Sequence, residues 1–232
     1  MLELFPEGFE ERETGEELEL AAYTDAAGEE RLWAAFGAVS ASAVPADWEH
    51  RWRAFHRPLQ VGPLWVGPPW EDRPRNGTAV VIDPGRAFGT GGHPTTRLCL
   101  GLLLEVERGS LVDVGCGSGV LAIAAARLGF DPVVAIDHDP AALDATERNA
   151  KTNGVTLDLR RSDAAADDLP AVDVAVVNVS APFVREIVTR LHPRDLIASG
   201  YLASEPSMLP GFRHRERRVE DGWAADLFRA EG

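Results

Sequence analysis

The sequence predicts an α/β protein: a mostly parallel, doubly wound sheet closed by one antiparallel hairpin, with a small α+β piece ahead of it. Three observations predict this. From residue 78 onward, short apolar runs alternate with longer amphipathic stretches, the pattern of strands joined by helices. One such run, Leu111 to Val114, leads directly into Gly115-Cys-Gly117-Ser-Gly119, a turn whose missing side chains let backbone pass close to a ligand. The chain closes on two extended runs, Phe212 to Glu220 and Trp223 to Arg229, separated by Asp221-Gly222, which read as a hairpin.

Residues 1–44 carry the small α+β piece. Phe9 to Thr14 and Glu17 to Thr24 alternate as paired strands around Gly15, Ala27 to Phe36 has helical spacing, and Val39 to Val44 reads as a returning strand. Residues 45–77 differ in kind. Trp48, Trp52, Trp65 and Trp70 stand among Pro45, Pro58, Pro63, Pro68, Pro69 and Pro74, which describes a structured connector. A short helix capped by Asp47 would set Trp48, Trp52 and Phe55 on one face as packing residues.

Residues 78–232 form the α/β domain. Its expected elements are a strand at Ala79 to Asp83, a helix at Thr95 to Val106, strand Leu111 to Val114, helix Val120 to Leu128 and strand Val133 to Asp137. A helix from Pro140 to Asn153 follows, with Asp139 as N-cap, proline at the first helical position and Gly154 as stop. Thr156 to Arg160, Val172 to Asn178 and Leu196 to Ser199 complete the parallel strands, with a helix near Pro182 to Leu191 between the last two.

At 232 residues and 45% apolar content the chain can bury a full core. No run of about 18 apolar residues appears and the start lacks a secretory signal, so a cytoplasmic protein is expected. Cys99 and Cys116 lie far from any C-x-x-C spacing, and the six histidines show no ligand pattern, so neither a disulfide framework nor a metal is expected. A formal charge of −14 disfavours direct contact with nucleic acid; solubility is its ordinary use, and it would also attract a basic partner.

In a doubly wound sheet, ligands sit beyond the carboxyl ends of the strands, where Gly115, Asp137, Asp163 and Asn178 should gather. Asp137, closing the strand after the glycine turn, suits the two hydroxyls of a ribose, so an adenosine-bearing cofactor is expected. The glycines fit two cofactors: S-adenosylmethionine, or a nicotinamide dinucleotide through Gly117-Ser-Gly119-Val-Leu-Ala122. Asp113 favours the former, because an anion there repels a pyrophosphate and attracts an ammonium or sulfonium; bracing the loop is its other use. Asp163 can accept from an adenine amine or shape a polar turn. Asn178 can shape the turn after its strand or hold a substrate N–H with its amide oxygen. It is followed by Val179-Ser180-Ala181 rather than by the Pro-Pro-aromatic wall that stacks a flat base, so a slender alkyl amine is the expected acceptor. Between Gly85 and Gly92 four glycines surround Phe88, the composition of a loop able to cover a ligand. Thr95 and Thr96 begin the next helix, where hydroxyls cap free N–H groups or meet a bound carboxylate.

This segment, together with Val-Asp-Val-Gly-Cys-Gly-Ser-Gly, Ala-Ile-Asp-His-Asp-Pro, Asn-Ala-Lys-Thr-Asn-Gly-Val and Val-Asp-Val-Ala-Val-Val-Asn, resembles the PrmA family, methyltransferases of ribosomal protein L11. The resemblance runs from Asp47-Trp48 to Gly222-Trp223, about four-fifths of the chain. It implies a seven-stranded class I methyltransferase fold, S-adenosylmethionine as donor, and lysine side-chain or N-terminal amines of ribosomal protein L11 as acceptors. It also implies cofactor contacts at Thr96, Gly115, Asp137 and Asn178, to which the residue chemistry adds Gly117, Asp163 and Phe88, with Asn178 as the catalytic residue. The chain departs from the family pattern in two places. Residues 1–44 read as the family's βαββαβ recognition domain without its first strand and most of its first helix, and Val179-Ser180-Ala181 fits loosely. Two alternatives therefore stay open beside the nicotinamide reading: another protein or small amine as acceptor, and a cofactor-binding paralogue without activity.

Overall fold

A computed structural model describes residues 10–14, 17–21, 26–37, 39, 57–83 and 92–231. The chain divides into two compact units, Met1–Trp52 and Arg53–Gly232. In the first, β1 (Glu10–Thr14) and β2 (Glu17–Ala21) pair antiparallel, and α1 (Ala26–Phe36) follows. Gly37 ends α1 with φ +71 and an N–H bonded to the Trp33 carbonyl, the left-handed stop that glycine adopts without strain. The outer ends of the first two expected strands, the strand expected at 39–44 apart from Val39 itself, and the expected helix bearing Trp48, Trp52 and Phe55 lie outside the described residues.

The second unit opens on a three-stranded sheet. β3 (Leu59–Val61) runs antiparallel to β4 (Leu64–Gly67), and β5 (Thr78–Val81) runs parallel to β4. Part of the Trp/Pro-rich segment thus enters a sheet. Helix α2 (Pro94–Leu103) then leads into the main sheet.

Seven strands form that sheet: β6 (Leu111–Val114), β7 (Val133–Asp137), β8 (Asp158–Arg161), β9 (Val174–Asn178), β10 (Asp195–Leu202), β11 (Phe212–Glu220) and β12 (Trp223–Ala230). Their spatial order is β8-β7-β6-β9-β10-β12-β11. Neighbours from β8 to β10 are parallel, whereas β12 is antiparallel to both β10 and β11. The connecting helices are α3 (Val120–Leu128), α4 (Pro140–Asn153) and α5 (Ala181–Ile187), the last continued by a 3₁₀ turn at Val188–Arg190.

Alternation along the strands builds a core on each face. Leu111, Val133, Ala135, Val174, Val176 and Ile197 pack with α2 and α3, whereas Val112, Val134, Ile136, Ala175, Val177 and Leu196 pack with α5. The α4 signals act as expected: Asp139 accepts from the Ala141 N–H at 2.9 Å and Gly154 stops the helix at φ +64. Helix α2 ends at Leu103 instead of running to Val106, because the Glu105 N–H turns back to the Leu102 carbonyl at 3.0 Å. Among the described residues no helix is long and apolar enough to cross a membrane.

Candidate functional site

Register alone brings the strand ends together. Val114 lies opposite Ile136 on one side and Val177 on the other, so Gly115 is level with Asp137 and Asn178 as β6 gives way to its turn. Asp137 stands opposite Arg161 and Asn178 opposite Ser199. These residues therefore share the carboxyl edge of the sheet, and Asp163 follows two residues beyond β8.

The glycine turn is pinned from beneath. Gly115 and Cys116 both donate to the Ile136 carbonyl, at 2.9 and 3.0 Å. Gly115, Gly117 and Gly119 have φ of +75, +55 and +81, a run of left-handed backbone that other residues tolerate poorly. At two of these positions space is short as well. A Cβ on Gly115 would stand 2.7 Å from Val179 Cγ1, and one on Gly119 would stand 2.7 Å from Thr146 Cγ2.

Asp137 is buried, with Oδ2 accepting from the Gly117 N–H and Oδ1 from the Asp139 N–H, both at 3.0 Å. Each oxygen keeps a further lone pair for a ligand hydroxyl. Asp163 is exposed and accepts from the Ala165 N–H at 3.0 Å, the geometry of a turn-forming acid. The Asn178 carboxamide, at the half-buried end of β9, makes no hydrogen bond among the described residues. Phe88 lies outside the described residues, as does the glycine-rich stretch 84–91.

Asp113 is 1% exposed and accepts from the Ala122 N–H at 3.0 Å, so it braces the turn against the start of α3. Burial pushes its carboxyl up to about 7, the Ala122 bond opposing the rise and the nearby Asp137 charge adding to it. A carboxyl raised on folding stabilises the native state fully below its unfolded value, and that contribution fades as pH climbs through about 7. Asp113→Asn should therefore gain thermal stability relative to the parent as pH goes from about 5 to about 8. A Tm difference that stays constant across that range would contradict the assignment.

Thr96, in the first turn of α2, is 1% exposed and its hydroxyl has no hydrogen-bond partner among the described residues. A buried orphan hydroxyl costs about 1–3 kcal/mol, which a ligand atom bonded to it would recover. The helix start that carries it is held in place. The His93 ring accepts from the Thr95 N–H at 3.3 Å and meets the Trp223 ring edge-on at 4.8 Å. Its pKa is lowered by burial and by Arg97, which favours the neutral ring that capping needs. Arg97 in turn donates to the Gly92 carbonyl and to Glu220, tying the helix start to the β11–β12 hairpin. Thr96→Val should raise the Tm of the ligand-free protein by removing the orphan while weakening cofactor binding. A fall in Tm would show that the hydroxyl is already satisfied.

Sequence reasoning missed a polar stripe on α4. Thr146 and Asn149 are buried, and Thr146 Oγ1 donates to the Gly117 carbonyl at 3.0 Å. Their spacing of three, continued by Asn153 four residues on, was the available signal. The two cysteines are inert, since burial pushes both thiols up to about 12.

Counting from β6, the strand order is 3-2-1-4-5-7-6 with the seventh strand reversed, which defines a Rossmann-like class I methyltransferase fold. The family profile described as ribosomal protein L11 methyltransferase (PrmA) matches residues 10–226, and the chain belongs to that family. It is 48% identical over 147 residues to the ribosomal protein L11 methyltransferase of Haemophilus influenzae (strain PittEE), covering 61% of this chain and 50% of the relative. With the ribosomal protein L11 methyltransferase of Symbiobacterium thermophilum it shares 42% identity over 197 residues, 78% of this chain and 65% of the relative. A crystal structure of ribosomal protein L11 methylase from Lactobacillus delbrueckii subsp. bulgaricus is similar at TM-score 0.67 and 28% identity, covering 76% of this chain and 100% of that one. The chain spans about half the length of the first curated relatives it matches.

Proposed function

We propose that this chain transfers methyl groups from S-adenosylmethionine to lysine side-chain or N-terminal amines of ribosomal protein L11. The observation that carries the reading is the reversed seventh strand within an otherwise parallel sheet, because a dinucleotide fold continues parallel in the order 3-2-1-4-5-6. Family membership and the names of the relatives supply the acceptor.

The residues fit the donor. The orphan Thr96 hydroxyl awaits a partner, Gly115 and Gly117 offer bare backbone, and Asp137 retains lone pairs for ribose hydroxyls. Asp163 and Phe88 complete the proposed contacts. When bound, the donor supplies an electrophilic methyl group on a sulfonium. Asn178 is proposed to hold the acceptor amine by its N–H, aiming the nitrogen lone pair at that methyl. Residues 1–44 are proposed as the recognition piece, residues 45–77 as the connector and residues 78–232 as the methyltransferase domain. The net charge of −14 suits a basic protein acceptor.

Incubation of purified ribosomal protein L11 with the chain and S-adenosylmethionine, read by intact-mass spectrometry, should show mass gains in whole methyl steps. Zero gain would turn the reading to another acceptor or to a paralogue without activity. S-adenosylhomocysteine should raise the Tm and NAD should not. The reverse result would return the site to a dinucleotide.

A further inference from the structure

Helix α4 buries polar side chains where an α/β helix normally buries apolar ones. Asn149, 2% exposed, is one of them. Its Oδ1 accepts from the Asp83 N–H at 3.0 Å. Its Nδ2 donates to the Ser118 carbonyl at 2.9 Å and lies 3.5 Å from the Asp83 carbonyl. One turn later, Asn153 Oδ1 accepts from the Val81 N–H at 2.8 Å, and its Nδ2 donates to the Val81 carbonyl at 2.7 Å and the Asn149 carbonyl at 2.8 Å.

A carboxamide carries the same donor and acceptor as a peptide group. The two asparagines thus act as a short strand edge laid along β5, whose other edge pairs with β4. They differ in reach. Asn153 holds β5 and its own helix, whereas Asn149 also grips the glycine turn through Ser118.

We infer that Asn149 is a positioning residue that fixes the cofactor turn relative to the end of β5, the strand from which the chain runs on toward Thr96. The inference rests on the reading of that turn as the donor site. The amide does this without touching the donor: it sets the spacing between two backbone segments that flank the bound molecule. Thr146 supports the same clamp from one turn earlier, through the Gly117 carbonyl and its contact at Gly119.

The discriminating substitution is Asn149→Asp, which keeps size and the Asp83 bond while replacing the donor with an anion facing the Ser118 carbonyl. Asn149→Ala is the uncharged second variant, and Asn153→Ala is the control that loosens β5 and the end of α4 while leaving the Ser118 bond in place. Two readouts separate the possibilities. Amide hydrogen exchange of the free protein should quicken across Cys116 to Gly119 in both Asn149 variants and stay unchanged there in Asn153→Ala. Calorimetric titration with S-adenosylhomocysteine should show binding weakened by about tenfold in the Asn149 variants, the size of one lost buried hydrogen bond. Asn153→Ala should bind like the parent at a lowered Tm. Unchanged exchange at the turn in the Asn149 variants overturns the inference whatever the parent binds. So does equal weakening in Asn153→Ala. A parent that binds no S-adenosylhomocysteine, with exchange changed as expected, overturns the donor reading instead.

Discussion

Gly200→Ala is expected to be the most damaging single methyl in the main sheet. Gly200 sits in β10 at φ +97, where the register with β12 slips between Ser199 and Tyr201. A Cβ there would stand 1.6 Å from the Val179 carbonyl oxygen and 2.4 Å from its carbon. That neighbour is backbone at the end of a central strand, so no rotamer change relieves the overlap and β9 must part from β10. Left-handed strain adds to the overpacking, and together they should cost about 3 kcal/mol or more. Gly211→Ala is the matched control, with φ +78 and nothing within 4 Å of the added methyl, and should lose only about 1 kcal/mol. Urea denaturation of both measures the difference. Comparable midpoints would mean the sheet absorbs the methyl without cost. The consequence reaches the site, because Val179 also packs against Gly115 and directly follows Asn178. Displacing it moves the glycine turn and the proposed catalytic amide together.

The α/β domain was readable wherever local chemistry and tertiary role agree. Asp139, Pro140 and Gly154 specify α4 by themselves, and the apolar runs 111–114 and 133–137 are strands because both faces of a parallel sheet demand such runs. β3 and β4 were not readable. Leu59–Val61 and Leu64–Gly67 are short and flanked by prolines, and they are strands because they pair with each other and β4 pairs with β5 beyond the next proline-rich stretch. The far end of α2 was overextended because Leu104 and Val106 continue an apolar pattern that carries no stop signal.

The site divides in the same way. The glycine turn and Asp137 are legible from spacing, since strand, turn and acid follow one another in the chain. Asp113 illustrates a choice that sequence leaves open: only its bond to the Ala122 N–H reveals the brace. Asn149 is harder still. A polar residue on a helix reads as solvent-facing, and the alanines that betray the buried face, Ala142, Ala145 and Ala150, give a weak apolar signal. What marks it is non-local, the Asp83 backbone 66 residues earlier in the chain.

Asn178→Ala is expected to abolish most methyl transfer while leaving the fold intact. The side chain is half-buried at the end of β9 and makes no hydrogen bond among the described residues, so its removal costs the native state little. Its proposed work is at the acceptor. A free lysine of pKa about 10.4 costs about 4.6 kcal/mol to deprotonate at pH 7, and among the described residues no side chain at the strand ends stands out as a base to do it. Rate must then come from holding the neutral amine in line once it forms, a contribution that positioning can supply at the scale of several kcal/mol. An amide oxygen that accepts one N–H fixes the lone pair opposite, toward the methyl group. Losing it should lower kcat by about a hundredfold or more and weaken cofactor binding, with the urea midpoint unchanged. The pH profile adds a second check: raising the pH supplies neutral amine from solution and should recover deprotonation but not alignment. The variant's deficit should therefore persist at pH 9. Full turnover by Asn178→Ala at neutral pH would remove Asn178 from the chemistry and leave the acceptor to be positioned by backbone carbonyls alone.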